Sequence, residues 1–196
     1  MVFCMLNTLV DLYLHFYYTV QAVLGRQFVV VDVDAQHLVL YRYGVSQVSY
    51  SVSTSKFGMG EKQDSYQTPR GWFRICECIG GQADLDVVFK GREPHGKYDG
   101  QLSAEQDPIL ARVIRLDGLQ QRNKNTLQRY IYIHGSPSHG VLNGENTSIG
   151  CVRMCPEDVA KLYSEMHVGT LVYIHDRKKS LPWQPSYFSS LKMLCS

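Results

Sequence analysis

"YIYIHGSPSHGVLNGENTSIGCVRM", residues 130–154, decides how this chain folds and what chemistry it can carry. Its first part is aromatic and β-branched and closes on His134-Gly135, which predicts a strand over 129–136 ending beside an open turn. Its last part sets Gly150 directly before Cys151, with Arg153, Met154 and a second cysteine, Cys155, behind. Between them lies a polar loop long enough to leave the strand and return.

A nucleophilic cysteine needs a base to hold its thiolate, donors for the oxyanion formed on attack, and room for a substrate. Glycine before the nucleophile lets backbone N–H groups approach a reacting carbonyl with no side chain in the way. The "SIGC" stretch is therefore expected to present the N–H groups of Ile149, Gly150 and Cys151 to an oxyanion. His134, held at a strand end, is the candidate base. His139 in the loop and His175 at the end of a later strand are rivals. Three other readings stand beside this one. Cys151 can be a buried, inert thiol. Cys155 can be a small residue at a helix start, or a resolving thiol for an oxidised Cys151. His134, His139, Cys151 and Cys155 together can supply a zinc set.

Working outward, "QFVVVDVDAQHLVLYRYG" reads as two strands, 27–33 and 37–43, joined by a tight polar turn at 34–36. A third strand follows over 45–55. The segment 56–70 is loop, punctuated by Gly58, Gly60 and Pro69, and "GWFRICECI" is a strand over 71–79. There Trp72, Phe73 and Ile75 are expected in the core, and Cys76 and Cys78 on one face. Residues 80–108 carry seven glycines or prolines and much charge, and are expected as a long excursion, a candidate lid. A strand over 107–119, a polar turn, and the strand into His134 follow, with Tyr130 and Tyr132 sharing one face. "PEDVAKLYSEMHVG" is the clearest helix, with Pro156 in the first turn, acids near its positive end and Gly169 as the stop. A last strand covers 169–176, and the tail from Arg177 is peripheral.

Composition sets outer limits. A chain of 196 residues, 44% hydrophobic and 19% charged, suits one globular domain. A net charge of +2 without a Lys/Arg run leaves no electrostatic footprint for nucleic acid. The six cysteines lack the spacing of a disulfide framework and are expected mostly as free thiols. Residues 1–25 are apolar but interrupted by Asp11, His15 and Gln21, with no Lys or Arg before Arg26. They are expected as a helix packed on the domain or a degenerate leader, which leaves membrane association open.

The stretch 130–154 resembles the signature of the L,D-transpeptidase (YkuD-type) catalytic domain: a strand ending in His-Gly, a loop, then Ser-x-Gly-Cys-aliphatic-Arg-Met. "VVVDVDAQHLVLYRYG" is similar to that domain's opening hairpin and "TPRGWFRI" to its Thr-Pro-x-Gly-x-Phe segment, so the likeness spans about 27–175. Members often carry His, Arg or Ser where Ile149 stands here. The backbone N–H survives that change, but a side-chain contact from 149 is not carried over.

The resemblance implies a mostly β fold, a sandwich or barrel with one main helix after Cys151 and an N-terminal helix. It divides the chain into 1–25, a catalytic domain at 26–176, and a tail at 177–196. Cys151 matches the nucleophile, His134 the base, and Gly135 the residue whose carbonyl orients the imidazole. Ser148 and Arg153 match positions expected to shape the site or meet a substrate carboxylate. The implied activity needs no cofactor or metal. It joins the carbonyl of the third residue of a peptidoglycan stem, a diamino acid, to an amine, releasing D-alanine through a thioester. The partners would be stem peptides as acyl donor and acceptor, or an envelope protein as acceptor, and the location the periplasm or cell envelope. A same-fold hydrolase of stem peptides and a non-catalytic peptidoglycan-binding module are the alternatives.

Overall fold

The computed structural model describes residues 2–25, 27–100, 108–137 and 144–176. The expectations on His139, Cys195, the Cys4 thiol and the tail from Arg177 lie outside what it describes, as does 101–107 of the excursion.

Alternation builds the opening hairpin. β1 (Gln27–Asp32) and β2 (His37–Arg42) pair antiparallel, with Val29 opposite Leu40 and Val31 opposite Leu38. Asp32 Oδ1 accepts the Ala35 N–H at 3.0 Å and closes the turn. β3 (Val45–Ser51) ends earlier than the alternation suggests. Beyond it, Ser53 and Ser55 bridge to Arg153 and Ser148, which brings this segment against the 148–153 motif.

β4 (Gly71–Ile79) buries Trp72, Phe73 and Ile75 completely, as the sequence implies. A bulge between Ile75 and Glu77 then breaks the two-residue period. Cys78 packs on the main core and Glu77 lies opposite Arg115, so the expectation of Cys76 and Cys78 in strict alternation does not hold.

The excursion contains a hairpin that the sequence analysis missed: β5 (Val87–Lys90) and β6 (Glu93–Lys97), joined to β7 (Ile109–Gly118) by Val88–Leu110 and Phe89–Ile109 pairing. Pro94 and Gly96 hide the strand pattern, and β6 tolerates them because every residue in it is exposed.

β8 (Tyr132–Gly135) is shorter than expected. Tyr130 sits before it at φ +56° and is exposed, whereas Tyr132 is buried, so the two do not share a face. β9 (Val152–Met154), too short to show a period, was not anticipated. α2 (Pro156–Glu165) starts at the proline and stops ahead of Gly169, and β10 (Leu171–His175) follows.

The described strands form one mixed sheet in the order β3-β2-β1-β10-β4-β7-β5-β6, with β8 bonded to β7 and β9. The β1–β10 and β8–β9 pairs are parallel. One face carries the main core, including Val31, Ile75, Ile114, Ile133 and Val152; α2 presses Val159 and Leu162 into it, and Met166 follows at the C-cap. The other face of β1, β10 and β4 carries Phe28, Val30, Trp72 and Tyr173, covered by Ala22 and Tyr18 of α1 (Val2–Leu24). α1 is pinned where Asp11 Oδ1 accepts the Gln121 N–H at 2.9 Å. His15 of α1 meets the Tyr173 ring edge-on, with centroids 5.3 Å apart. Burial, and then the Arg122 charge, pushes the His15 imidazole down to about 4. Among the described residues no helix is long and apolar enough to cross a membrane. The mostly β architecture, with a main helix after Cys151 and an N-terminal helix, is the expected one.

Candidate active site

β8 and β9 run parallel with Ile133 opposite Val152 and His134 opposite Arg153. Successive side chains alternate between faces. Ile133 and Val152 enter the main core, so Tyr132, His134, Cys151 and Arg153 belong to the opposite face. His134 and Cys151 therefore leave the same face of adjacent strands, one pleat period apart. That diagonal separates their backbone positions by about 7–8 Å, a gap the two side chains are long enough to span.

His134 is only 1% exposed. Its Nδ1 lies 2.8 Å from the Gly135 carbonyl oxygen. A carbonyl can only accept, so Nδ1 carries the proton and Nε2 is the basic nitrogen of the neutral ring. Gly135 owes its identity to packing. A Cβ there would lie 2.5 Å from the Leu110 carbonyl oxygen and 3.1 Å from Val159 Cγ1, so only glycine lets β8 lie this close to β7 and α2.

Cys151 is half-buried. Its Sγ accepts the Tyr132 N–H and donates to the Tyr130 carbonyl, each at 3.4 Å. The turn before it depends on Gly150, whose φ of +130° is strained for any L side chain and whose Cβ would crowd Ile131 Cδ1 at 3.2 Å. Thr68 locks this turn: its hydroxyl donates to the Gly150 carbonyl and accepts the Ser55 N–H, both at 3.0 Å.

The structure refines the other expected positions. Ser148 Oγ donates to the Cys151 carbonyl at 2.7 Å and accepts the Gly150 N–H at 3.2 Å. Of the amides of Ile149, Gly150 and Cys151, that of Gly150 is thus turned into the loop. Ser148 and Arg153 are both fully buried. Arg153 donates from Nε to Ser136 Oγ at 3.0 Å and from Nη1 to Thr147 Oγ1 at 3.2 Å. Ser53 holds the same strip through the Glu145 carbonyl and Thr147. Both side chains tie the returning loop to the sheet, and neither faces solvent in this structure.

Arg129 is a site residue the sequence analysis did not single out. It donates to the Gly60 carbonyl at 3.0 Å and the Gln67 carbonyl at 2.5 Å, and its charge interacts with the Cys151 thiol. Burial pulls its guanidinium down, while Glu61, Asp64 and Cys151 push it up. No local pattern announces this contact, because it joins three distant segments. Thr68 did carry a signal, since it opens the "TPRGWFRI" segment.

His175 ends β10, which β4, β7 and β8 separate from β9, so it is not brought to Cys151. Cys155 is buried at the start of α2, where its carbonyl accepts the Asp158 and Val159 N–H groups. Among the described residues no group of three or more His, Cys, Asp or Glu is placed to hold a metal ion; His139, which the zinc alternative includes, lies outside them.

The family model of the L,D-transpeptidase catalytic domain matches residues 26–174. The fold is similar to that of an L,D-transpeptidase from Mycobacterium smegmatis, at 20% identity and a TM-score of 0.50, over 76% of this chain and 58% of that one. It is similar also to an L,D-transpeptidase from Xylanimonas cellulosilytica, at 19% identity and a TM-score of 0.50, over 76% of this chain and 60% of that one. This chain thus covers less than two thirds of either structure. No curated protein matches it significantly. With the family model spanning most of its length, the chain belongs to the L,D-transpeptidase catalytic-domain family.

Proposed function

We propose that the protein is a cysteine L,D-transpeptidase acting on peptidoglycan stem peptides, with Cys151 as nucleophile and His134 as its base. The observation that carries this reading is the β8–β9 register, which puts thiol and imidazole on one face while the Gly135 carbonyl fixes the ring's Nδ1 proton.

In this mechanism Nε2 of His134 takes the thiol proton, and the thiolate attacks the carbonyl of the third stem residue. The Cys151 and Ile149 amides receive the oxyanion, since the Gly150 amide is committed to Ser148. The imidazolium returns its proton to the departing D-alanine amine as the C–N bond breaks, and a thioester remains. An acceptor amine then attacks, losing its proton to Nε2, and the thiolate is regenerated. Two half-reactions through one acyl-enzyme give ping-pong kinetics. The Tyr132 N–H and the Arg129 charge both favour the anionic sulfur. Ser148, Thr68 and Arg153 act as positioning residues.

The substrate lies outside the cytoplasmic membrane, so this reading requires the protein to work in the periplasm or cell envelope. The test is incubation with a purified disaccharide tetrapeptide, wild type against Cys151→Ala. Cross-linked dimers and free D-alanine from the wild type alone support it. Released tripeptide without dimers makes the protein a hydrolase instead. Equal turnover by Cys151→Ala refutes the mechanism.

A further inference from the structure

α1 shows apolar side chains to the sheet and to solvent alike. Its inner side meets the sheet through Tyr18 and Ala22, with His15 against Tyr173 and Asp11 bonded to Gln121. The outer side of a helix docked in this way is ordinarily polar. Here it is not. Leu9, Leu12, Tyr13, Phe16, Tyr17 and Leu24 are exposed, from 44% to 71%. At 3.6 residues per turn they cover about 140° of the helix circumference, opposite Asp11, His15, Tyr18 and Ala22. An apolar stripe that wide is what a helix turns toward a core. The helix carries no Lys or Arg, and its one acid, Asp11, is engaged by Gln121.

The stripe reads almost the same from either end. About the midpoint between Phe16 and Tyr17, Leu9 and Leu24 are mirror positions, and so are Tyr13 and Val20. Aromatic rings stand at the centre and a leucine closes each arm. The arms together run about 22 Å along the axis. Laid antiparallel on a copy of itself, the helix sets Leu9 against Leu24, Tyr13 against Val20 and Phe16 against Tyr17, with each contact made twice. A two-fold interface requires that kind of self-complementarity.

Area and charge suit the same occupant. With aromatic side chains at about 150–250 Å² each and leucine somewhat less, the exposed fractions leave roughly 700 Å² of side chain on one copy. The largest apolar patch of an ordinary monomer is about 300–600 Å². A stable interface covers about 800 Å² on each partner, and its centre is poor in charge and rich in Tyr and Phe. Two copies of a neutral stripe bring no like charges together. A helix that lies on lipid carries Lys and Arg beside its apolar face, and α1 has neither.

We propose that α1 is a dimerisation helix, and that two copies of the chain associate through the Leu9–Leu24 stripe, antiparallel, about a two-fold axis between Phe16 and Tyr17. The proposal does not depend on the transpeptidase reading, because no residue of the stripe belongs to the Cys151 site.

The test is sedimentation velocity on the full chain over the micromolar range, beside Phe16→Glu, Leu9→Lys and Leu24→Glu. All three positions are more than half exposed in one copy, so the monomer keeps its packing, which far-UV circular dichroism checks. Wild type is expected to sediment at twice the chain mass, with a Tm that rises with concentration. Phe16→Glu sets two carboxylates beside the axis and is expected to weaken association by about thirtyfold or more, the scale of a lost central anchor. Leu9→Lys and Leu24→Glu each weaken the dimer alone. Mixed, they restore it, because the antiparallel register then faces a lysine with a glutamate at one end and keeps the two leucines at the other. A monomer at every concentration overturns the proposal, and so does a dimer that Phe16→Glu leaves intact. A dimer sensitive to Phe16→Glu that mixing does not restore overturns the antiparallel register. Flotation of monomeric wild type, and not of Phe16→Glu, with phosphatidylcholine vesicles assigns the stripe to a lipid surface instead.

Discussion

Replacing Gly135 by alanine tests whether the packing of β8 sets the chemistry. Gly135 is not among the positive-φ glycines, so alanine brings no backbone penalty of that kind. What it brings is a methyl group 2.5 Å from the Leu110 carbonyl oxygen and 3.1 Å from Val159 Cγ1. The first distance is far inside van der Waals contact and involves backbone, so β8 must move away from β7. Overpacking of this kind costs about 1–3 kcal/mol. For a chain of this size that lowers Tm by about 2–12 °C. The same movement displaces the carbonyl that holds His134 Nδ1. A misplacement approaching 1 Å at a catalytic group costs on the order of 10²-fold in rate. Thermal unfolding and the rate of Cys151 acylation by a tetrapeptide donor are measured on the same preparations. If Gly135→Ala matched wild type in both, the strand contact would have no bearing on the imidazole, and the link drawn here between packing and base would be wrong.

Two other outcomes follow from the electrostatics. Arg129→Met removes a positive charge near Cys151, so the midpoint of thiol alkylation should move to higher pH, and Arg129→Lys should recover part of the shift. The His15 imidazole is held neutral by burial, with its folded value lowered to about 4. At pH above its unfolded value it adds nothing. As pH falls from about 6.5 toward 4 the unfolded chain binds the extra proton first and stability declines. Thermal melts over that range should show His15→Phe with a flatter pH dependence than wild type.

The sequence revealed the parts of this structure that rest on local periodicity. β1 and β2 are apolar runs either side of a polar turn, β4 opens on Trp72, Phe73 and Ile75 before its bulge, and α2 carries a proline start with acids in its first turn. What it concealed depends on partners far along the chain. The bulges in the β4–β7 and β7–β8 pairings shift later residues to the other face, so Glu77 leaves the core row while Cys78 joins it. β6 is written with Pro94 and Gly96, which no strand template favours, and β9 is only three residues long. Cys151 and His134 stood out because Gly150 and Gly135 flank them in a recognisable pattern. Arg129 and the Tyr132 amide did not, because what they do is defined by the fold alone. Ser148 and Arg153 were legible as motif positions, but only their burial and partners show them working within the turn and the loop.

In the proposed mechanism one imidazole governs the ionisation of one sulfur. The pH dependence of Cys151 alkylation by iodoacetamide, followed by intact mass for wild type and His134→Asn, measures this directly. With His134 as the base, wild type should be alkylated rapidly at neutral pH, and the variant at a rate that rises only toward the ordinary thiol range of about 8–9. Superimposable profiles for the two proteins would contradict it.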